Sequence, residues 1–571
     1  MNVKRFVFVI YVAVIGVLVT ATVLEKTYGT PFVMEHIYGA WWFIALWGLL
    51  GMGCIVTMIS KWLKAKGEGQ KGRGFFQLST FNFQLSILLH LSFVIILIGA
   101  LVTHLDGMQG SVHLRKGEAT TMMLNSETQL VEELPFALRL VDFQLQTYPG
   151  TEAPKDYCSD LVIEGTNDTL NVSMNKIGEY QSYRFYQSGY DSDLQGTYLA
   201  VSHDPWGIGI TYTGYGLLLI SMLWNILAKG KRQKAKGEGQ NRLAVSGYRL
   251  VGVALCFLPF AFVSCTALQP FAERVYATLN HLRPLAIVLL CVGFVNYIFS
   301  LVYTSRQRSM PRWFTIQLPI FCIVAFVYLF LFVTLRTIIA GHIPLTNGFE
   351  VMLFMSMLSL AIASSKWQKA KGEGQKIRDA NRSTLTANLI VSGLALLVAT
   401  MSQSDSQIEP IAPVLDSPLL SIHVSLVMLS YTLFAFLAIN SIAALISRQN
   451  YQLSTINYQL KIAVFLLAAG IILGAIWANQ SWGRYWGWDP KEVWALITLM
   501  VYAIPLHVSQ RENVKIKKLE NVKTDNPKFP LKGVMGAVFL HLYMILAFLS
   551  VIITYFGVNF FLGGMHSYAN G

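Results

Sequence analysis

The sequence predicts an all-α polytopic membrane protein of about thirteen transmembrane helices, carrying one small β-rich external domain. Three observations predict it. Of 571 residues, 54% are hydrophobic and only 13% charged, with a mean hydropathy of +0.48. Soluble domains carry about 25% charge and disordered chains are still less apolar, so lipid must be the main solvent. Apolar runs of the ~20 residues that a spanning helix needs recur along the chain. One stretch, about 104–205, departs from that texture and alternates apolar with polar residues.

The runs lie near 6–24, 40–60, 84–103, 206–228, 247–268, 284–304, 314–339, 349–364, 385–402, 419–447, 461–479, 492–508 and 533–557. The first follows Lys4 and Arg5 with no small-residue cleavage site, and reads as a retained span. Between the third and fourth, Phe136, Leu138 and Leu140, then Leu170, Val172 and Met174, alternate with polar residues. Pro149, Gly150, Asn167 and Asp168 supply turns, so strands are expected there. The basic segment 229–246 divides a four-span half, 1–228, from a half of about nine spans, 247–571.

Charge orients the spans. With the N-terminus cytoplasmic, the segments 1–5, 61–83, 229–246, 305–313, 365–384, 448–461 and 509–532 share one side. They hold 31 of the 44 basic residues and seven of the 31 acidic ones. The formal net charge of +13 therefore splits into 31 − 7 = +24 on that side and 13 − 24 = −11 elsewhere. Basic residues resist translocation, so the +24 side is cytoplasmic and the C-terminal Gly571 external. The excess then describes orientation and gives no support to a nucleic-acid partner.

Five of six cysteines lie inside apolar runs and Cys158 lies in the polar stretch. No C-x-x-C pair occurs, which excludes a c-type cytochrome and leaves cysteine as a small apolar residue. KAKGEGQ recurs at 64–70, 234–240 and 369–375, and FQLSTFNFQLS at 76 echoes YQLSTINYQLK at 451. Their irregular spacing reads as polar spacers in cytoplasmic loops.

Ionisable residues inside spans are functional candidates, because hydrocarbon penalises them. With the orientation set, His90 in the third span and His507 in the twelfth share the inner depth. His423, at the start of the tenth, and His566, beyond the last, share the outer one. Two pairs of neutral imidazoles at two depths are what two bis-histidine haem sites need. Taken singly, each is as readily a structural polar residue. His541 lies within the thirteenth span.

The densest local signal is WANQSWGRYWGWDPKEVWALITLMVYAIPLH, residues 477–507. It gathers Trp477, Trp482, Trp486, Trp488 and Trp494 around Tyr485, Asp489, Lys491 and Glu492 in an external loop at about 480–492. An interfacial belt explains a Trp or two at each helix end. Five in eighteen residues, with Gly483 and Gly487 to fold the backbone, suggest a flat apolar platform for a planar ligand. Arg336, Arg484 and Lys491 are candidates to pair with anionic propionates, or to snorkel to headgroups. Asn347 and Glu350 begin the eighth span, where helix capping is an equal reading of Asn347.

These residues carry a family resemblance. WGRYWGWDPKEVWALI resembles the tryptophan-rich WWD signature of haem-handling proteins of cytochrome c biogenesis. VYAIPLH at 501–507, the terminal GVNFFLGGMHSYANG, PLTNGFEVMLF at 344 and SIHVSLVMLSY at 421 resemble CcsA (ResC) motifs. HLSFVIILIGALV at 90–102, LPFALRLVDFQLQTYPG at 134–150 and FYQSGYD at 185–191 resemble CcsB (ResB). Nearly the whole chain thus resembles a fused CcsB/CcsA system II cytochrome c synthetase.

The resemblance implies a bacterial inner (plasma) membrane protein of holocytochrome-c synthase (haem-lyase) type. It would export haem b, ferrous and serving as both bound ligand and substrate, and join it by two thioether bonds to the CXXCH motif of an apocytochrome c. It further implies a transmembrane haem with axial ligands His90 and His507, and an external haem with axial ligands His423 and His566. Trp482, Trp486, Trp488 and Asp489 would form the catalytic haem platform, flanked by Trp477, Trp494, Arg336 and Arg484. Membrane lipids and thioredoxin-like proteins that reduce the apocytochrome thiols are the other implied partners. Pro505, Met565 and the compact external domain depart from the family pattern. Three other readings are a haem exporter without ligase activity, a system I type haem lyase subunit and a di-haem quinol-oxidising b-type cytochrome. The CcsB-like half argues against the second, and the third gives the Trp loop no task.

Overall fold

The computed structural model describes residues 3–68, 76–126, 128–166, 168–234, 254, 256–263, 266–279, 282–305, 312–364, 375–401, 406–447, 453–520 and 531–562. His566 and residues 235–246 of the expected linker lie outside the described residues. The chain folds as two compact units. The first comprises Met1–Asn225, Pro410–His423 and Ala469–Val493, and the second Ile226–Glu409, Val424–Ala468 and Trp494–Gly571.

The helices are α1 (Val3–Tyr28), α2 (Trp41–Glu68), α3 (Phe76–Asp106), α4 (Gly207–Lys234), α5 (Gln269–Leu279), α6 (Leu282–Ser305) and α7 (Arg312–Ala340). They continue with α8 (Gly348–Ser364), α9 (Gln375–Met401), α10 (Pro418–Ser447), α11 (Leu453–Trp482), α12 (Pro490–Glu520) and α13 (Leu531–Ile552), which runs on as a π-helix over Ile553–Leu562. Among the described residues, eight helices are long and apolar enough to cross a membrane, or nine if the pair α5 and α6, bent by 53°, counts as one span.

The expected count of about thirteen is not confirmed among the described residues. In the run at 247–268, which contains Pro259, the described residues are helical at Ala254 and form 3-10 turns at Leu258–Phe262 and Thr266–Leu268. The apolar stretches Gly348–Ile362 and Leu385–Met401 fall short of a bilayer's width. Helix α12 opens on Pro490, Lys491 and Glu492 and is not among the eight.

In the first unit, α3 and α4 approach closely at glycines. A Cβ on Gly99 would lie 2.6 Å from the Thr211 amide nitrogen, and one on Gly214 would lie 3.0 Å from that of Ile96. Bare glycine faces let two helix backbones touch where lipid supplies no hydrophobic drive. The segment between α3 and α4 is one antiparallel sheet of eight strands: β1 (Met108–Arg115), β2 (Ala119–Asn125), β3 (Val131–Thr147), β4 (Pro154–Ile163), β5 (Thr169–Val172), β6 (Gly178–Tyr180), β7 (Tyr183–Tyr190) and β8 (Gly196–His203). Their spatial order is β5-β4-β3-β2-β1-β8-β7-β6.

The alternation read from the sequence sets the buried face. Leu134, Phe136, Leu138 and Leu140 of β3 all point inward. A register shift against β4 between Leu140 and Asp142 then flips the phase, so that Phe143 turns inward and Val141 faces out. Val112, Leu114, Leu161, Ile163, Val172, Phe185, Leu199 and Val201 complete one core drawn from several strands, so the sheet curls around it. Within this domain the buried Ser159 hydroxyl donates to Gln187 Oε1 at 2.8 Å, and the Gln187 amide donates to Thr197 Oγ1 at 2.9 Å. Buried polar groups are thereby satisfied, as a low-dielectric interior requires.

Candidate functional site

The tryptophan-rich segment is a turn between α11 and α12, and local chemistry explains its shape. Asp489 is the N-cap of α12: its Oδ1 accepts the Lys491 amide at 3.0 Å, and its main-chain oxygen accepts that of Val493. Pro490 follows at the first helical position, where a missing N–H costs nothing. Glu492, in the first turn, reaches back to accept the Gly487 amide at 2.8 Å. Gly483, at φ +78°, lets the chain leave α11. A Cβ there would lie 2.7 Å from Cε2 of Tyr186, a β7 residue, so the external domain packs directly on the turn.

The turn is tied to its surroundings in the first unit. The buried Tyr485 hydroxyl donates to Thr103 Oγ1 at 3.0 Å, and Thr103 in turn donates to Asp204 Oδ2 at 2.6 Å, at the junction of α3, β8 and α4. Ile208, Ala475, Tyr485, Tyr212, Tyr215 and Trp486 pack together beneath it. Asn175, between β5 and β6, is a bridge. Its amide donates to the Pro413 and Asp416 carbonyls at 2.8 and 3.1 Å, and its Oδ1 accepts from Ser481 at 3.2 Å. Tyr148 adds a bond to the Ile411 carbonyl at 3.1 Å. The external domain thus grips both the segment leading into α10 and the end of α11.

Four of the five expected tryptophans gather here. Trp477 and Trp482 meet edge to face with ring centroids 4.8 Å apart, and Trp486 and Trp488 do so at 5.9 Å. Trp494, buried on α12, belongs to the second unit. Arg484 lies over Gly487, whose Cβ would be 3.1 Å from the guanidinium Nε. Burial pushes the Lys491 ammonium down to about 8, against the pull of Asp489.

His423, near the start of α10, is in this unit too. Its Nδ1 sits 2.6 Å from the Gly470 carbonyl oxygen of α11. A Cβ on Gly474, one turn further along α11, would lie 2.5 Å from the imidazole Cε1, so only glycine leaves room for the ring. Donation from Nδ1 puts the proton there and the ligating lone pair on Nε2. That chemistry fits an axial haem ligand. His90, half-buried in α3, lies in the first unit.

His507 is an exposed residue of the second unit, and its Nδ1 meets the Ala503 carbonyl at 2.9 Å, again directing Nε2 outward. Pro505, two residues earlier, cannot donate to the Val501 carbonyl; the Tyr543 hydroxyl of α13 does so instead at 2.7 Å. The departure from the family pattern is thus accommodated locally. His541 is buried with Nδ1 3.3 Å from Ser441 Oγ, a satisfied core histidine.

Arg336 has a partner that sequence reasoning missed. It is fully buried in the second unit, with Nε donating to Glu350 Oε1 at 2.9 Å. Nη1 donates to the Tyr276 hydroxyl and the Ser406 carbonyl, at 2.9 and 2.7 Å, and Nη2 to the Gln407 carbonyl at 2.8 Å. Four of its five N–H groups are thus engaged within the protein. Glu350 Oε2 accepts from the Thr346 amide and hydroxyl, while its own amide donates to Asn347 Oδ1 at 3.0 Å, the cap of α8. Tyr38 and Phe43 were also missed: both pack on Trp488 from the N-terminal segment.

Residues 85–211 match the ResB-like family, and residues 345–521 match the cytochrome C assembly protein family. The chain is 36% identical over 250 residues to protein NrfI of Wolinella succinogenes, a match covering 42% of this chain and 24% of NrfI. It is 30% identical over 319 residues to the cytochrome c biogenesis protein CcsA of Gossypium barbadense, covering 47% of this chain and 87% of that protein. With CcsA of Amborella trichopoda it shares 31% identity over 281 residues, covering 41% and 80%. The chain therefore spans about a quarter of NrfI and most of the CcsA proteins it matches.

Proposed function

Since the chain belongs to the cytochrome c biogenesis family, as a system II protein in which a ResB-like part and a CcsA part are fused, we propose that it brings haem b across the membrane and attaches it to CXXCH motifs of apocytochromes c. The observation that carries this reading is the pairing, within one compact unit, of the oriented His423 imidazole with the tryptophan turn. The ResB-like match over 85–211 sets aside a system I lyase subunit.

In this reading haem is the substrate, ferrous and held through its iron by His90 and His507 at the inner site and by His423 and His566 at the outer one. Trp482, Trp486 and Trp488 present aromatic surface to the macrocycle, and Asp489 keeps that surface in place by capping α12. Arg484 pairs with a propionate in this reading. Arg336, committed to Glu350, braces the second unit instead. Each apocytochrome thiol adds across a vinyl group: one C–S and one C–H bond form, while the S–H bond and the C=C π bond are consumed. No electrons leave the pair of reactants, so thioredoxin-like partners serve only to deliver free thiols. The protein's contribution is placement, which turns a poorly oriented encounter into an effectively intramolecular step. The side bearing +24 of charge is cytoplasmic, with the C-terminus periplasmic, in a bacterial inner membrane.

The test is co-expression with a CXXCH reporter in a bacterial host lacking its own maturation system. Haem that stays on the reporter through denaturing electrophoresis is expected. A reporter without covalent haem, despite stable expression and a reducing periplasm, overturns ligation; the exporter reading would then remain.

A further inference from the structure

Trp488 has a backbone φ of +57°, in the left-handed region that L residues with large side chains avoid. Such a conformation persists only where the surroundings over-determine it. Part of that determination is local, since Asp489 caps α12 immediately after it. The indole itself is held from elsewhere in the chain. The Tyr38 ring stacks on it with centroids 4.6 Å apart and planes at 11°, and the Phe43 ring meets it edge-on at 5.4 Å and 71°. Tyr38 and Phe43 also meet each other edge to face at 5.8 Å. Trp486 is a further aromatic neighbour, 5.9 Å away at 87°.

The segment that delivers Tyr38 is built for the purpose. Between α1 and α2 the chain makes a short helix at Thr30–Val33 and a π-helical turn at Met34–Tyr38. The turn closes by a bond from the Gly39 amide to the Met34 carbonyl at 2.8 Å. A Cβ on Gly39 would lie 2.9 Å from that same oxygen, so glycine permits the closure that turns Tyr38 inward. Tyr38 is only 5% exposed. Among the described residues its hydroxyl has no hydrogen-bond partner. Burial, with the charges of Glu25 and Asp489, pushes its pKa up, so the phenol is neutral and the ring face is what it offers. Residues 25–43 precede both matched regions, which begin at 85 and 345.

We propose that Tyr38 is a positioning residue of the external haem site, whose ring fixes the Trp488 indole in the orientation on which the macrocycle rests. The inference rests on the reading of the tryptophan turn as a haem platform. It makes the N-terminal segment a working part of that platform, in addition to a membrane anchor.

The test uses the full-length protein purified with its co-purifying haem, in three variants: Trp488→Leu, Tyr38→Leu and Tyr38→Phe. Haem per protein, the Soret and α-band positions and covalent haem on the CXXCH reporter are read together, at matched protein level and thermal midpoint. Trp488→Leu and Tyr38→Leu should each lower external haem and reporter yield by roughly two- to tenfold, the worth of one aromatic pair, with the same band shift. Tyr38→Phe should restore both. Wild-type behaviour of Tyr38→Leu beside a defective Trp488→Leu overturns the positioning role and leaves the platform standing. A Trp488→Leu protein like wild type overturns both. Tyr38→Phe falling as far as Tyr38→Leu makes the hydroxyl the active group, and also overturns the proposal. Should Tyr38→Leu fail to accumulate, Tyr38→Met, with similar reach but no ring face, takes its place with the same outcomes.

Discussion

The Nδ1 atom of His423 lies 2.6 Å from the main-chain oxygen of Gly470, on the neighbouring helix. That contact decides which imidazole nitrogen carries the proton, and so which one can bind a metal. Gly474 makes it possible, because the ring occupies the space where its Cβ would be. A Gly474→Ala protein should therefore displace the imidazole and lose haem of the external site while keeping that of the transmembrane site. Haem content should fall by about half, and reporter attachment should fall further. Full haem content with unchanged bands would mean that His423 is not an axial ligand.

Asn175 links the sheet domain to the segment leading into α10 and to the end of α11. Asn175→Ala removes three hydrogen bonds between partly exposed partners, each worth about 0.5–1.5 kcal/mol. The sheet core, from Val112 to Val201, is untouched. The expected result is an intact domain that protects residues 410–423 less well. Faster hydrogen exchange confined to that segment, with reduced reporter attachment, would bear this out; unchanged exchange would show that Tyr148 alone suffices.

The Arg336–Glu350 pair is buried on both sides. Removing one partner, by Arg336→Met or Glu350→Gln, leaves a charge or its hydrogen-bonding groups uncompensated and should cost about 3–5 kcal/mol. Replacing both, as Arg336→Met with Glu350→Leu, should cost less than either single change. Thermal unfolding in detergent reads this order, and a double variant weaker than both singles would contradict it.

Lys491 supplies a pH signature. Its folded pKa, about 8, lies below the 10.5 of the free side chain. Between these values the unfolded chain holds a proton that the folded chain has released, so stability rises with pH across that window. Below pH 8 both states are protonated and the burial penalty is present in full. Reductively methylated Lys491, followed by carbon NMR, should titrate near 8, and Lys491→Met should abolish both the resonance and its share of the stability slope. A midpoint near 10.5 would place the ammonium in water.

Much of this architecture was legible because it rests on periodicity. The inward face of β3 follows from Phe136, Leu138 and Leu140 alone, and the tryptophan density of 477–494 needs no alignment to be noticed. The Asp489 cap could also have been found, since Asp-Pro followed by Glu is a helix start written in sequence. What escaped notice were partnerships between residues far apart. Nothing in the local sequence ties Tyr38 and Phe43 to Trp488, against which both rings pack. Arg336 looked available for an anion because Glu350 sits in a different helix. Hydropathy registers the apolar run 247–268 but not the 3-10 turns at Leu258–Phe262 and Thr266–Leu268 within it.

The bond from Tyr485 to Thr103 joins positions 382 residues apart in the chain. A ribosome adding roughly 5–20 residues per second needs about 20–75 s to cover that distance. For all of that time Thr103 lacks its Tyr485 partner, and the sheet domain lacks the turn on which Tyr186 packs. The tryptophan turn is therefore among the last of these features to be made. In the proposed reading, a chain interrupted before residue 477 carries His90 and His423 but not the tryptophan turn, and so lacks the surface on which haem would be loaded.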